Sequence, residues 1–570
     1  MYRMLMVLIL VLMCAVPSTR AVRNLYHGPT SVDYDSASNR YFIPNFTSGQ
    51  IVALDEYKSQ SYFAAGLDSV LGNHLEGNIL YATYHYGVRG FDITTGETVM
   101  DVALPIAGYH DGITADTSGN LYVINSLQRI YKIHIATEAV STFVQGQLGD
   151  GFGEDITFDP HHNRLLVVSM DTNDPIRGVW VSDSTVHTVV GTELGPFNAV
   201  CMDDKRNTYI GLFNGQVWRF DSLYTSPPTL VLTFADGCDQ VDYNTNGDIL
   251  VDPHYGASRI DFASPFMEMD ANTTWGHDSL TVAFSAAPRM GMSADAWLWD
   301  FGDGDSAAVQ SPTHTYHGAG TYDVTCHMTV GSEVLSYRQE HMIAVLDDYL
   351  IGNAVEGNSG ATVEVVVDAV NTIPLYLLEI PVDYSGVLGL RYLGYSTAGC
   401  RTENFALTEI TYHDSAAGLI EFALDVDGGL SLPPGSGPVL KLQFQITAGS
   451  QGQTVNPVSP GGFPDHQPRF EGFKASYQPD RIEGSVTLIG CCYGVTGNID
   501  DDPEQSVDVG DLTTLIDHLF ISFPDLACVL EADIAPAISG GAPDGTVDVG
   551  DLTALIDHLF ITFPALPACP

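Results

Sequence analysis

The chain has 570 residues, of which 70 are acidic and 22 basic, for a formal net charge of −48. That length excludes a single compact core, and five lysines in so acidic a chain exclude a counterion-releasing grip on nucleic acid. Hydrophobic content of 45% with 16% charged residues excludes a disordered polyelectrolyte, leaving a modular acidic protein suited to divalent cations and to uncharged or cationic partners.

Arg3 precedes an apolar run from Met4 to Val16, followed by Pro17, Ser18, Thr19 and Arg20. This is the layout of a secretory signal peptide over residues 1–21, cleaved near Ala21, and the run is too short to span a bilayer. The mature chain is therefore expected to be exported to the extracellular medium or cell surface. No integral membrane segment is expected in it, and disulfides are permissible there.

Residues 22–263 repeat one pattern: an acidic or Asn-containing turn, then Asn or Gly, then a short β-rich run. The instances lie at 35–41 (DSASNRY), 76–81 (EGNILY), 116–123 (DTSGNLYV), 159–167 (DPHHNRLLV), 203–210 (DDKRNTYI) and 244–250 (NTNGDIL). Six units of about 40 residues, each a set of short strands, predict a six-bladed β-propeller. The stretch DGITADTSGNLYVINSLQRIYKI, beginning at Asp111, resembles the NHL and gluconolactonase-type propellers. A propeller's ligand site lies on its axis, at the residues entering each innermost strand. Candidates there are His27, His74, His110, Asp111, Glu154, Asp155, Asn198 and Asp239, a set of His and carboxylates able to hold a metal. Cys201 and Cys238 read as a disulfide or as core thiols.

In residues 264–346, WDFGDG (299–304) is followed by PTHTY (312–316) and GTYDV (320–324). Asp303-Gly304 predicts a tight hairpin, and Trp299, Phe301 and Tyr322 can fill a small sandwich core. These motifs resemble the PKD domain, an Ig-like β-sandwich. The resemblance gives Asp300 and His314 structural roles and makes the unit a spacer or adhesion module.

Residues 347–489 alternate as strands at 361–367, 377–384, 418–426, 439–446 and 482–489, separated by Gly and Pro clusters, which predicts an all-β sandwich. The segments GATVEVVVDAVNTIPLYLLEIPVDYSG, PVLKLQFQI and IEGSVTL are similar to cohesin-type and related carbohydrate-binding-module sandwiches.

Residues 490–570 contain a duplication. Residues 507–526 read VDVGDLTTLIDHLFISFPDL and 547–566 read VDVGDLTALIDHLFITFPAL. Calcium needs six to eight oxygens, which a loop followed by a helix can supply at alternate positions. In the first loop that set is Asp500, Asp502, Glu504, Ser506, Asp508 and Asp511, with a shifted register beginning at Asn498 as the alternative. In the second it is Asp544, Thr546, Asp548 and Asp551, with Asp533 as first ligand across an insertion. After each loop, Leu512, Leu515, Ile516, Leu519 and Phe520, and their counterparts Leu552, Leu555, Ile556, Leu559 and Phe560, have helical spacing and are expected to pack the two helices together. The unit resembles a dockerin, a small EF-hand-like helical module. That resemblance implies calcium as cofactor, a cohesin-type domain as partner, and contacts through Val509, Gly510, Thr513, Asp517 and His518, and through Val549, Gly550, Thr553, Asp557 and His558. The pairing of Cys491, Cys492, Cys528 and Cys569 is not decided by sequence.

The chain is thus expected to be mainly β and multidomain, with a six-bladed propeller, a PKD sandwich, a cohesin-like sandwich and a small dockerin. As a whole it reads as a secreted, non-catalytic binding and assembly protein in a polysaccharide-associated complex. A polysaccharide or cell-surface glycan, and self-association of the chain, are further partners compatible with these modules. The alternative is a secreted propeller enzyme of lyase or lactonase type that the dockerin tethers.

Overall fold

The computed structural model describes residues 24–567, apart from 150–151, 172–174, 192–193, 253–258, 387, 428–429, 449–452, 458–462, 464–465, 491, 493–494, 501–505, 527 and 536–544. Residues 1–21, Asp502, Glu504, Asp544, Cys491 and Cys569 lie outside the described residues. Among the described residues, no helix is long and apolar enough to cross a membrane.

The first unit is a ring of six antiparallel sheets, five of four strands and the last of three. Their innermost strands are β1 (Asp33–Asp35), β2 (Asn73–Glu76), β3 (His110–Ala115), β4 (Gly153–Asp159), β5 (Phe197–Met202) and β6 (Gln240–Tyr243). Each packs against the next around the axis, and β6 returns to β1.

The repeated turns of the sequence are the hairpins leaving these strands. In the third blade Asn120 Nδ2 and the Tyr122 hydroxyl both donate to Asp116 Oδ2, at 2.9 and 3.0 Å. In the fifth blade Asn207 and Tyr209 do the same to Asp203, at 2.7 and 3.1 Å. Asn39 and Asn163 hold the left-handed position of their turns at φ 52°, a conformation Asn tolerates better than most residues. In the sixth blade the order inverts, and Asn244 Nδ2 donates to Asp248 Oδ2 and to the Tyr41 hydroxyl of the first blade. The ring is closed there by side chains: Tyr41 packs edge-on to Phe262 at 5.2 Å, and Lys58 Nζ lies 4.0 Å from the Tyr41 ring centre. Apolar clusters such as Phe42, Ile51, Leu80 and Phe91 fill the wedges between neighbouring blades.

The PKD sandwich has a three-stranded sheet, Met267–Ala271, Leu280–Pro288 and β9 (Thr313–Tyr316), facing a five-stranded one. At one edge of the larger sheet β7 (Ala296–Asp300) pairs with β8 (Ser306–Ala307). Trp299 and Phe301 are buried in the core with Tyr316, and Tyr322 packs partly buried against them.

In the second sandwich two five-stranded sheets enclose a core that includes Val365, Leu378, Phe422, Phe444 and Phe470. The strands Gly389–Ser396 and Leu407–Asp414, absent from the sequence reading, form its outer edges. They escape hydropathy patterning because few of their side chains are buried.

The C-terminal unit contains α1 (Val509–Ile516), the short α2 (Val529–Ala532) and α3 (Val549–Ile556). α1 and α3 continue into π-helical turns, Asp517–Ile521 and Asp557–Ile561. The expected apolar stripe packs through Leu512, Leu515 and Leu519 and through Leu552, Leu555 and Leu559, and is corrected at its end, where Phe520 and Phe560 are 54% and 55% exposed. Phe520 and Phe560 lie within the π turns, where the inserted residue of the helical repeat carries them off the face that Leu519 and Leu559 keep. Cys492 and Cys528 are both disulfide-bonded, which with the small core is how such a unit is held.

Candidate functional site

Two cavities lie along the propeller axis. The narrow one, about 40 Å³, sits where the innermost strands begin and is lined by Asp111, Glu154, Asn198 and Asp239, with Thr30, Leu71, Met170 and Gln240. Asn198 is 4% exposed. Its Nδ2 donates to Cys238 O at 2.9 Å and to Asp239 Oδ1 at 3.0 Å, which leaves its buried Oδ1 without a hydrogen-bond partner. Burial, reinforced by Glu154 and Asp155, raises the Asp111 carboxyl well above the usual range. Burial, followed by the charges of Asp239 and Asp155, lifts Glu154 to about 7.

The wider cavity, about 460 Å³, opens along the later part of the same strands. Its lining includes Asp33, Asn73, His74, Asp155 and Asp242. Here the carboxylates are structural latches between blades. Asp33 Oδ2 accepts from Leu75 N–H of the second blade, and Asp155 Oδ2 accepts from Val200 N–H of the fifth at 2.8 Å. Thr114 Oγ1 accepts from Phe158 N–H in the same way, at 3.2 Å. Burial lifts Asp33 to about 7 and Asp155 to about 6, and raises Asp242, where the Asp33 charge adds to it.

The structure thus gathers four of the eight axis candidates, Asp111, Glu154, Asn198 and Asp239, and places the others elsewhere. Asp155 and His74 line the wider cavity, where desolvation pulls His74 down to about 4. His27 is exposed. His110 is 1% exposed with neither ring nitrogen hydrogen-bonded, and it packs edge-on to Tyr131 outside both linings. Asp33 and Asp242 were not singled out from sequence; the signal was an Asp near the start of several innermost strands. Cys201 and Cys238 are buried thiols without a disulfide.

Among the described residues, the axis carboxylates do not bring three ligating atoms within 4.8 Å of one another, and the only group that does is Asp303, Asp305 and His314. The axis therefore offers a polar cavity lined by three carboxyl groups and the unpartnered Asn198 Oδ1.

In the C-terminal unit the two repeats have matching geometry. Asp508 and Asp548 cap α1 and α3, each accepting from the N–H of Gly510 or Gly550 at 2.6 Å, and each helix has a capping box completed by Asp511 or Asp551. Asp511 is fully buried. It accepts from Ile499 N–H at 2.5 Å, Asp500 N–H at 3.1 Å and Asp508 N–H at 2.7 Å. Asp551 makes the same three bonds to Ile534, Ala535 and Asp548, at 2.6, 2.7 and 2.7 Å. The internal symmetry therefore pairs Asp500 with Ala535 and Asn498 with Asp533. Asp533 Oδ2 accepts from Gly545 N–H across the second loop at 2.7 Å. The buried Glu531, not noticed in the sequence, accepts from Asn498 N–H at 3.3 Å.

The two loops differ at the helix N-terminus. A Cβ placed on Gly510 would lie 2.3 Å from Asp500 Oδ2 and 3.0 Å from Asp508 Oδ1, so two carboxylates converge over the helix N-terminus. At Gly550 the counterpart of Asp500 is the side chain of Ala535, which offers no oxygen. Burial, helped by the Asp500 charge, raises the Asp511 carboxyl above the usual range, a strain that a divalent cation would relieve. Ser506 and Thr546 precede the capping segments at matching positions.

The expected contact residues divide by geometry. Thr513 and Thr553 donate to Val509 O and Val549 O at 2.8 Å. Asp517 and Asp557 accept from Ser522 and Thr562, while His518 Nδ1 and His558 Nδ1 lie 2.7 Å from Pro524 O and Pro564 O. The Asp and His side chains hold the turn after each helix, while the Thr side chains bond back within it. Each repeat exposes Thr513 or Thr553 and a matching apolar set: Val509, Phe520, Ile521 and Phe523 in one, and Val549, Phe560, Ile561 and Phe563 in the other.

A family model of the PKD domain matches residues 263–345. No curated protein matches the chain. Among solved structures, a gluconolactonase from Xanthomonas campestris is similar at 10% identity, over 40% of this chain and 84% of that one, with a TM-score of 0.34. The sixth cohesin of Acetivibrio cellulolyticus scaffoldin B, solved in complex with a dockerin, is similar at 19% identity, over 25% of this chain and 98% of that one, with a TM-score of 0.21. An extracellular domain from B. thetaiotaomicron is similar at 10% identity over 56% of this chain, with a TM-score of 0.32, and this chain spans 57% of its length. The architecture is that of a modular β protein carrying a propeller, a PKD domain and a second β-sandwich.

Proposed function

We propose that the chain is an exported, non-catalytic assembly protein whose C-terminal unit binds calcium and docks to a cohesin-type domain of another protein. The observation that carries this reading is the two-fold repetition of the tail. Two helices have the same carboxylate-capped N-terminus, and each presents the same exposed apolar set. Single exposed apolar side chains are ordinary, but the same exposed set repeated on a small unit supports a contact surface. The upstream propeller, PKD domain and sandwich would then form the body that the tail attaches, in a polysaccharide-associated or cell-surface complex.

The test is capture of a purified cohesin domain by the full chain with calcium and with EDTA. Capture that needs calcium, and that is lost when Asp508 and Asp548 are both changed to Ala, is the expected result. Capture insensitive to EDTA, or none at millimolar calcium across a panel of cohesins, overturns the proposal.

One observation favours a second reading, in which the propeller is an enzyme and the tail its tether. Glu154, held to about 7 beside Asp111 and Asp239, can exchange protons near neutrality. Loss of a hydrolytic or eliminating activity on Glu154→Gln, with cohesin capture intact, would establish it.

A further inference from the structure

Asp303, Asp305 and His314 meet where the PKD sandwich is open. Asp303 and Asp305 sit on the turn joining β7 to β8, and β8 is the outer strand of the five-stranded sheet. His314 lies on β9, the outer strand of the three-stranded sheet. The His314 ring stacks flat on Phe301, with centres 4.2 Å apart and planes 1° from parallel, and Tyr316 packs edge-on against it at 4.7 Å. The imidazole is thereby held with Nε2 2.6 Å from Asp303 Oδ2. A carboxylate oxygen of Asp305 comes to the same point, so that one ligating atom from each residue lies within 4.8 Å of the other two.

A hydrogen-bonded latch between the two sheets needs only Asp303 and His314. Asp305 N–H donates to Asp303 Oδ1 at 3.1 Å, so the turn sets the two carboxylates side by side, and like charges held together in this way favour a shared cation. Motif geometry at the sequence level drew attention to Asp300 and His314, but Asp300 Oδ1 instead accepts from Gly302 N–H within its own turn.

We propose that Asp303, Asp305 and His314 form a binding site for a divalent transition-metal ion of the zinc class, which clips the two sheets together at their open edges. The donor set decides the class of ion. Calcium and magnesium take oxygen ligands in high or octahedral number, whereas an imidazole nitrogen with two carboxylates suits zinc, cobalt or manganese. Three protein ligands at a solvent-facing edge leave room for water to complete the coordination. A metal needs His314 Nε2 free of its proton and both carboxylates ionised, so binding weakens in acid. This site is separate from the calcium loops of the tail, and the proposal stands whether or not the docking function does.

The test uses the full chain in saturating calcium, so that the tail loops are filled, and titrates Co²⁺ by calorimetry and visible absorption. The expected result is a saturable Co²⁺ site that is lost in His314→Gln and weakened at least about tenfold in Asp305→Asn. Asp305 has an exposed side chain, so Asp305→Asn should leave the unfolding midpoint of the metal-free chain unchanged and keep the test valid if His314→Gln fails to fold. Zn²⁺ should raise the unfolding midpoint of the parent chain and not that of Asp305→Asn. Equal Co²⁺ binding by the parent and Asp305→Asn, or no saturable binding at millimolar Co²⁺, overturns the proposal.

Discussion

Replacing Asp155 with Asn perturbs one of the latches that join neighbouring blades. Asp155 is buried, and its two oxygens accept from Ile156 N–H and Val200 N–H, both at 2.8 Å. An amide has one oxygen, so Asp155→Asn leaves one of these N–H groups facing an NH₂, which costs about 1–3 kcal/mol. The parent carboxylate has its own cost. Its pKa is raised by burial to about 6 from 3.8, and a group whose folded pKa exceeds its unfolded one gives its full stability below the unfolded value and loses it as pH rises through the folded value. A shift of about two units corresponds to roughly 3 kcal/mol lost between pH 4 and pH 8. The variant carries no such titration. It should therefore be less stable than the parent at pH 4, by about 1–3 kcal/mol, and close to equal or more stable at pH 8. Urea unfolding in EDTA, followed by far-ultraviolet circular dichroism and tryptophan emission, measures both. A stability gap of the same size at the two pH values refutes the reasoning.

At the ring seam, Asn244→Ala removes the bond to the Tyr41 hydroxyl and the hairpin bond to Asp248. It should cost about 1–3 kcal/mol and make the first and sixth blades the earliest to exchange amide hydrogens. In the tail, Leu515→Ala and Leu555→Ala each empty a fully buried position. Each should lower the tail's stability by about 2–5 kcal/mol, a loss readable by denaturant unfolding. Phe520→Ser combined with Phe560→Ser should leave that stability unchanged, since both rings are exposed, but should weaken cohesin capture in a pull-down or by calorimetry.

The features legible in the amino-acid sequence are those set by residues close together along the chain. The Asp116, Asn120 and Tyr122 clamp spans seven positions, and its recurrence marks the blade hairpins without reference to anything distant. The alternation around Val365 and Val367 marks a sandwich strand for the same reason, since side chains two apart share a face. The duplicated helix announces itself by identity, and its capping box is a pattern of near neighbours. The PKD core residues Trp299 and Phe301 were likewise readable from their own motif.

Relations between separate elements were decided only by the tertiary structure. Of the polar residues at the blade starts, the pitch of the strands around the axis brings Asp111, Glu154, Asn198 and Asp239 together and leaves His110 buried off the channel. The π turns rotate Phe520 and Phe560 out of the stripe that regular helical spacing assigns them to. The equivalence of Asn498 and Asp533 emerges from which backbone N–H groups Asp511 and Asp551 accept, because loops of unequal length hide it in linear counting. The meeting of His314 with Asp303 and Asp305 depends on how two sheets close on each other. Local spacing encodes turns, caps and faces; convergence across sheets and blades is set by packing, which no local spacing records.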